Sequence, residues 1–457
     1  MNLDNIKNIH FVGIGGIGMS GIAEILTGRG MAVSGCDLKH SAATNLLASR
    51  GVGIHIGHDA AHLADVDAVV VTAAVRGANV ELDAARERGI TVIRRKDLLA
   101  AIVDKKRAVA VSGTHGKTTT SAMIATVLDD AGLDPTVIVG GMLRNFASNA
   151  KDGKGDVIVV EADEYDRTFH ELHPEIAVIT NIEADHLEYY GSFENIVEAF
   201  RIFTENVRPG GTIIGCIDDP AVATLLARRG AGSHPTMVRY GLGPGADLTA
   251  RNLTFDERGS SFEIDGLGFF KLFVPGQHNV RNALAAIAVA HALGVSAEAI
   301  ARGVAKFLGV DRRFQILGDY HGALVVDDYA HHPTEIRATL DAARSGYPGR
   351  RVVALFQPHL YSRTRDFARE FGHSLLGADV ALVAPIYAAR ETPMGGVSSR
   401  MITESVNGIE FLDRSHNEIV QELRRRLQPN DVFIAMGAGD VHQIAEALVR
   451  GGDEESG

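Results

Sequence analysis

The sequence predicts an α/β protein of three domains. These are a Rossmann-like N-terminal domain over residues 1–107, a central P-loop ATPase-like domain with a mainly parallel sheet over 108–312, and a C-terminal Rossmann-like α/β domain over 313–457. Three observations carry this expectation. The chain has 457 residues, which at roughly 150 residues per domain is about three domains. Short apolar runs alternate with amphipathic stretches, the mark of parallel βαβ units. Two strand-to-helix junctions carry glycine loops, GIGGIG at Gly13–Gly18 and GTHGKT at Gly113–Thr118.

Taken in order, NIHFVGIGG, AVSGCD, AVVVTAAV and GITVIRR read as the strands of the first domain, with helical patterns between them. The charged cluster Asp104–Arg107 breaks the pattern and sets the first boundary. RAVAVSG, DVIVVEAD, EIAVITN and TIIGCID are the strands of the second series. The texture then changes around LTARNLTFDERGSSFEIDGLGFFKLFVPG, where polar and apolar residues alternate between close turns, as in a small antiparallel addition. An alanine-rich helix from Asn282 leads to a second hinge at Val310–Arg313. GALVVDDYA, RVVALFQ, DVALVAPIY and DVFIAMGAG are the strands of the third series, and the acidic, glycine-rich tail GGDEESG reads as frayed.

Composition narrows the function. Hydrophobic residues make up 46% and charged ones 22%, a globular mixture. The net charge of −12 offers no basic face for a nucleic acid backbone, so none is expected as a partner, and any anionic ligand must be held by local groups. Cys36 and Cys216 give no disulfide framework and no Cys/His metal spacing, which fits a reducing compartment. The start lacks the pattern of a signal peptide, and the most apolar stretch, from Ala283, is far shorter than the roughly 20 residues of a membrane span. A soluble cytoplasmic protein that binds no membrane is expected.

The first loop has the GxGxxG spacing with which dinucleotide-binding folds bring helix amides to a diphosphate. Asp37 ends the next strand, near the spacing at which an acid binds a ribose hydroxyl. The motif indicates a diphosphate without choosing between a nicotinamide dinucleotide and another; a tight structural turn is the plainer alternative. The second loop departs from GxxxxGK[ST] because Val111 stands where the first glycine belongs. Its context supports it: a strand precedes it and an amphipathic helix starts at Lys117. Lys117 would reach the β and γ phosphates and Thr118 would place its hydroxyl on magnesium. Glu161 and Asp163, at the end of DVIVVEAD, are the candidate acids for that metal, and His186 follows the next strand. A lone loop histidine is more often a surface residue, but this one lies just past the acid strand.

These residues resemble the Mur ligases, through GIGGIGMSG, GTHGKTTT, EADEYD, TNIEADHLEYYG, PGQHNVRNALAA, VDRRFQ, DDYAHHPTEI, FQPHLYSRT and GAGD, in that order over essentially the whole chain. In that family the second loop is written GT.GKT, so Val111 follows the family pattern. The resemblance implies ATP-dependent amide formation between the lactyl carboxylate of UDP-N-acetylmuramate and L-alanine in peptidoglycan precursor synthesis, with magnesium, or manganese in its place. The first domain would hold UDP through Gly13, Gly15, Gly16, Ile17, Gly18 and Asp37. The second would hold ATP through Gly113, Thr114, His115, Gly116, Lys117, Thr118 and Thr119, with Thr118, Glu161 and His186 on the metal. Asn279 and Asn282 resemble the adenine contacts, Arg313 would reach the ATP phosphates, and Asp328 and His331 belong to the ATP set. His359 and Arg363 would approach substrate carboxylates, and the third domain would close over ATP. Lys117, His186 and Arg313 are the catalytic candidates, in a monomer or homodimer.

Two departures stand out. Leu360 replaces the arginine expected after His359, leaving Arg363 or Arg365 to anchor a carboxylate. The segment GSFENIVEAFRIFTENVRP after His186 holds no lysine, so the carbamylated lysine of related ligases is not available from it. Chemically, the sugar's carboxylate would attack the γ phosphorus and alanine's neutral amine would then attack the acyl phosphate. The amine needs a base, for which His186, His331, His359 and a phosphate oxygen are all candidates. The rivals are a recycling ligase that attaches a tripeptide to the same sugar nucleotide, a nucleotide-dependent switch, and a nicotinamide dehydrogenase.

Overall fold

The computed structural model describes residues 3, 5–72, 75, 77–228, 234–389 and 391–455, and among them are four sheets. The first holds β1 (Asn8–Val12), β2 (Ala32–Asp37), β3 (Gly53–Ile56), β4 (Ala68–Val71) and β5 (Thr91–Arg94) in the order β3-β2-β1-β4-β5. Every pair is parallel. This is a Rossmann-like half with the crossover between β1 and β4, where ligands bind such sheets. Strand AVVVTAAV is shorter than the sequence suggests, ending at Val71, and Ala73 and Ala74 lie outside the described residues. β3 was not expected: it is four residues long, and neither Ile54 nor Ile56 is fully buried.

The second sheet holds β6 (Arg107–Ser112), β7 (Thr136–Leu143), β8 (Ser148–Lys151), β9 (Val157–Glu161), β10 (Ile176–Ile179), β11 (Thr212–Cys216), β12 (Thr236–Gly241) and β13 (Leu248–Thr249), ordered β13-β12-β11-β10-β6-β9-β7-β8. All neighbours are parallel except β7 and β8. β6 is central and fully buried past its first residue, so its near-continuous apolar run RAVAVS reads as a strand covered on both faces. β14 (Arg251–Asp256), β15 (Gly259–Ile264) and β16 (Gly268–Leu272) form the small third sheet. Their links, 257–258 and 265–267, are far too short for parallel crossovers, so the sheet is the antiparallel addition expected. The fourth sheet holds β17 (Gln315–Tyr320), β18 (Ala323–Asp328), β19 (Arg351–Phe356), β20 (Val380–Val383), β21 (Ile409–Phe411) and β22 (Asp431–Met436), ordered β17-β18-β22-β19-β20-β21. Only β17 runs antiparallel to its neighbour. The tail expected to fray is helical as far as Glu455, and residues 456–457 lie outside the described ones.

The chain divides into two compact units: 1–251 with 263–270 and 281–307, and 252–262 with 271–280 and 308–457. The first two sheets therefore share one unit. A single apolar cluster runs from Phe11 and Ile22 to Ile158 and Phe200. The segment β7–β8 meets the first helix, where Asn149 Nδ2 donates to Ile17 O at 2.6 Å and Ser148 Oγ to Glu24 at 2.7 Å. The charged cluster at 104–107 is thus no loose connection. Lys106 Nζ donates to Thr136 Oγ1 and to the carbonyls of Gly153 and Gly155 at 2.7–2.9 Å.

Candidate active site

β6 ends at Ser112, and the chain turns through Gly113 (φ 140°) and Gly116 (φ 82°) into the helix Lys117–Asp130. Both conformations disfavour a side chain, and the space is also taken: a Cβ on Gly113 would lie 1.9 Å from Thr180 Oγ1, and one on Gly116 2.8 Å from Asn282 Oδ1. The loop is laced to the residues after β10. Thr114 N donates to Asn181 O (3.0 Å) and His115 N to Asn181 Oδ1 (2.8 Å). Thr180 Oγ1 and Asn181 Nδ2 both donate to His115 O, and Glu183 N donates to Thr114 Oγ1. The stretch TNIE, read from sequence only as the approach to His186, is the brace that shapes the phosphate loop. Thr180 and Asn181 stand in the motif TNIEADHLEYYG, but their role as a brace is not legible there because it is made with a loop more than sixty residues earlier in the chain.

Lys117 is held inside the loop. Its Nζ donates to Gly113 O (2.6 Å) and Thr114 O (3.2 Å), and pairs with Glu164 at 2.8 Å. Burial alone would lower its pKa, but Glu164, Asp163 and Glu161 around it prevail and keep the ammonium charged. Glu164, 4% exposed, stands beside the two acids expected to matter and is the one that meets the lysine. Thr118 Oγ1 donates to Glu161 Oε2 at 2.9 Å, and Gly140 N to the same oxygen at 2.8 Å. The structure therefore brings Lys117, Thr118, Glu161 and Glu164 together. Thr119 is buried in the first turn of the helix. His186 precedes the short helix Leu187–Tyr190 in a left-handed conformation, its ring 4.9 Å from that of Tyr165. Asn282, 7% exposed, accepts Thr120 Oγ1 at 3.1 Å, and Asn279 donates to Pro275 O at 2.7 Å.

The first loop follows β1. Gly13 N and Ile14 N donate to Cys36 O, at 2.9 and 3.0 Å, and Gly15 N donates to Asp37 Oδ2 at 2.8 Å. Asp37 thus shapes the loop from beneath. Gly16 precedes the helix Ile17–Gly28, whose first turn holds no acidic residue. A Cβ on Gly18 would lie 2.9 Å from Arg95 Nη1, which places a guanidinium against the helix start. Arg95 went unnoticed in the sequence because it sits nearly eighty residues away, in an unremarkable RRKD.

In the second unit the motifs DDYAHHP, QPHLYSRT and GAGD meet where the neighbouring parallel strands β18, β22 and β19 end. Asp328 is 6% exposed and accepts Phe314 N and Ala330 N, each at 2.8 Å. Burial pushes its pKa up to about 6, against the Arg313 charge and the two amides. Arg313 pairs with Glu335 at 3.6 Å and lies over the Tyr329 ring at 5.2 Å. His331 meets Glu335 at 3.2 Å, and its ring stands edge-on to His359 at 6.1 Å. His359 stacks on Tyr387, and Arg363 lies in the first turn of the helix Tyr361–Leu375. Leu360 is half-buried with φ 70° and belongs to neither apolar cluster of this sheet.

A lysine-bearing phosphate loop in a parallel sheet, beside a second glycine loop, defines a multidomain phosphate-loop α/β protein. Family models place it further: "Mur ligase family, catalytic domain" matches residues 8–107, "Mur ligase middle domain" 111–290 and "Mur ligase, glutamate ligase domain" 312–439. The chain belongs to the Mur ligase family. It is 46% identical to a UDP-N-acetylmuramate–L-alanine ligase of Syntrophotalea carbinolica, over 97% of each chain. It is 45% identical to one of Sorangium cellulosum, over 97% of this chain and 96% of that one. Among solved structures, it superposes on a UDP-N-acetylmuramate–alanine ligase of Thermotoga maritima with a TM-score of 0.82 at 32% identity, covering 98% of this chain and 100% of that one. A murein peptide ligase of Psychrobacter arcticus gives 0.71 at 26% identity, covering 97% and 98%.

Proposed function

We propose that the chain joins L-alanine to the lactyl carboxylate of UDP-N-acetylmuramate at the expense of ATP, in peptidoglycan precursor synthesis. The observation that carries this reading is the loop Gly113–Thr119, with the Lys117 ammonium held inside it and Thr118 and Glu161 in contact beside it. Full-length relatives carrying that activity at 45–46% identity support the choice of substrates. Domain boundaries at 107 and 312 follow from the same reading, as does a cytoplasmic location; among the described residues no helix is long and apolar enough to cross a membrane.

The donor set suits magnesium. A threonine hydroxyl and a carboxylate are hard oxygen donors, and the two glycines let the loop close on Thr180 and Asn282 where any Cβ would clash. Thr118, Glu161 and His186 would hold the ion, which when bound screens phosphate charge. In the first step a lactyl oxygen bonds to the γ phosphorus and the bond to the ADP oxygen breaks. Lys117 supplies a fixed positive charge to the phosphoryl oxygens, already desolvated and so stronger than in water. In the second step the alanine nitrogen bonds to the acyl carbon, phosphate leaves, and the proton lost from the nitrogen passes to a base, for which His186, His331, His359 and the phosphate oxygen are the candidates. Gly13–Gly18, with Arg95 at the helix start, would hold the UDP diphosphate. Asn279, Asn282, Asp328 and His331 would contact ATP, Arg313 would reach its phosphates, and His359 and Arg363 would bind substrate carboxylates.

Phosphate release with ATP, magnesium and UDP-N-acetylmuramate, measured across a panel of acceptors, tests the reading. L-alanine should accelerate release most. Acceleration by a tripeptide alone would assign the recycling reaction instead, and no acceleration by any acceptor would overturn both.

A further inference from the structure

The N-terminal sheet buries a group of side chains that the proposed reaction leaves without a task. On the face of β1 and β2 that carries Val12 and Cys36, the turn Ala60–Leu63 and the helix Val80–Glu87 form the cover. At its centre Glu81 is 0% exposed and accepts from every side. The Cys36 thiol donates to Oε2 at 2.9 Å, His58 Nδ1 to Oε2 at 2.9 Å and His62 Nδ1 to Oε1 at 2.7 Å. His10 Nε2, buried and without a hydrogen-bond partner, lies 3.5 Å from Oε1, while its Nδ1 is 2.8 Å from Ser34 Oγ. The His55 ring stacks on His62 at 4.1 Å. Cys36 Sγ and His58 Nδ1 are 3.2 Å apart.

We propose that Cys36 Sγ, His58 Nδ1 and the Glu81 carboxylate form a binding site for a borderline divalent transition-metal ion, with zinc as the occupant, and that His62 and His10 hold the carboxylate's other oxygen. The donor atoms converge on one point. Bonds of about 2.0–2.3 Å in a tetrahedral site put ligand atoms about 3.3–3.7 Å apart. The three separations here, 2.9, 2.9 and 3.2 Å, are a few tenths tighter because hydrogen bonds now draw the atoms together. Sulfur and imidazole beside one carboxylate select zinc over magnesium, which prefers oxygen alone.

Charge argues the same way. Among the described residues no lysine or arginine pairs with Glu81, and a buried unpaired carboxylate is costly. A divalent ion with one thiolate, one carboxylate and one neutral imidazole is electrically neutral. Metal ligation needs the thiolate, so the ion would displace the Cys36 proton. On binding, the sulfur–hydrogen bond gives way to a sulfur–metal bond and the proton leaves to water, while the His58 ring proton moves from Nδ1 to Nε2. Affinity therefore falls with pH. The His58 side chain is 27% exposed, which gives the ion a route in and a place for a water as fourth ligand. The oxygen of His62 and His10's partner, Oε1, is oriented as outer-shell partners orient metal-bound carboxylates.

The full-length protein, stripped with chelator, is titrated with cobalt(II) in excess magnesium, which covers the phosphate-loop site. The expected result is one cobalt per chain with near-ultraviolet thiolate-to-cobalt absorption, displaced by zinc. Cys36→Ser loses that absorption, Cys216→Ser keeps it, and His58→Gln weakens zinc at least about tenfold. Should Cys36→Ser not fold, protection of Cys36 from a thiol reagent by zinc in the parent chain reads the same contact. Absence of the thiolate band in the folded parent, or equal zinc affinity in His58→Gln, overturns the proposal and leaves a hydrogen-bonded hub around Glu81.

Discussion

At the end of β1 the loop Gly13–Gly18 offers backbone amides over a single carboxylate, Asp37, with Arg95 approaching from outside. At the end of β6 the loop Gly113–Thr118 encloses an ammonium and is ringed by Glu161, Asp163 and Glu164. Both are glycine turns from a parallel strand into a helix, so the backbone supplies anion binding in each. What differs is the fixed charge. A loop that only holds a diphosphate gains from amides and a rigid floor; one that passes a phosphoryl group needs charge placed where negative charge moves during the reaction.

Lys117 is where that contrast predicts the most. Lys117→Ala should lower kcat by at least about a hundred- to a thousandfold, and it should also destabilise the fold. Glu164 is left buried without its partner, which costs about 3–5 kcal/mol. The double variant Lys117→Ala/Glu164→Gln should regain the melting temperature and none of the turnover. An unchanged kcat at saturating ATP would break the comparison by making the second loop a mere holder.

Matched glycine substitutions sharpen it next. Gly113→Ala must adopt φ 140° and push its Cβ to 1.9 Å from Thr180 Oγ1, with the Asn181 backbone at 3.1 Å, so soluble yield and melting temperature should both collapse. Gly15 has no positive φ, and its Cβ would meet the Asp37 carboxylate at 2.8 Å, a side chain that can swing. Gly15→Ala should fold, with a raised KM for the sugar nucleotide and a near-parental kcat. The reverse pattern would mean that the first loop is the more rigid of the two.

A third strand-end acid, Asp328, adds a pH dependence of its own. Its folded pKa is about 6, above the roughly 4 of an unfolded aspartate. The folded chain therefore binds more protons between those values, and stability falls as pH rises through that window, by about 1.4 kcal/mol per pKa unit. Asp327, also pushed up to about 6 by burial, adds to the same slope. The urea midpoint of the parent chain relative to that of Asp328→Asn should decline as pH rises between about 4 and 6. A difference between the two that does not change across the window would show that Asp328 ionises normally.

Much of this was legible in the sequence, and the exceptions share a cause. GIGGIG, GTHGKTTT, Glu161 and the three βαβ series are local patterns, written within one turn or one strand. Glu164 was overlooked although it adjoins Asp163, because which of three nearby acids meets a lysine depends on the turn Tyr165–Glu171 that follows. Thr180 and Asn181 act through backbone groups sixty residues away. Strands β7 and β8 escaped notice because the run TVIVGGML is broken by glycines, and the short β3 and β21 because so few residues carry little periodicity. Cys36, His58 and Glu81 come from three separate segments, so no spacing rule could find them. The charged run 104–107 reads as a boundary by composition, and the bonds of Lys106 to the carbonyls of Gly153 and Gly155 could not be read from it.

The smallest expected effect comes from changing the acid beside each loop into its amide. Glu161 Oε2 accepts both Thr118 Oγ1 and Gly140 N, and Asp37 Oδ2 accepts Gly15 N while Oδ1 accepts Leu38 N. Glu161→Gln keeps the one oxygen that accepts both bonds, whereas Asp37→Asn keeps the acceptor of Gly15 N and gives up that of Leu38 N, so both loops should persist while the charge vanishes. At Glu161 that charge would face a cation, and the magnesium concentration for half-maximal rate should rise about tenfold, since hard divalent ions depend on anionic oxygen. At Asp37 the charge would face a neutral ribose hydroxyl, and a hydrogen bond to a neutral group is worth only about 1 kcal/mol. Asp37→Asn should therefore raise KM for the sugar nucleotide no more than about fivefold and leave the magnesium dependence where it was. Equal magnesium midpoints for Glu161→Gln and the parent would remove the metal from the second loop. A magnesium shift in Asp37→Asn would instead place a cation at the first loop, and the two would then differ in the lysine alone.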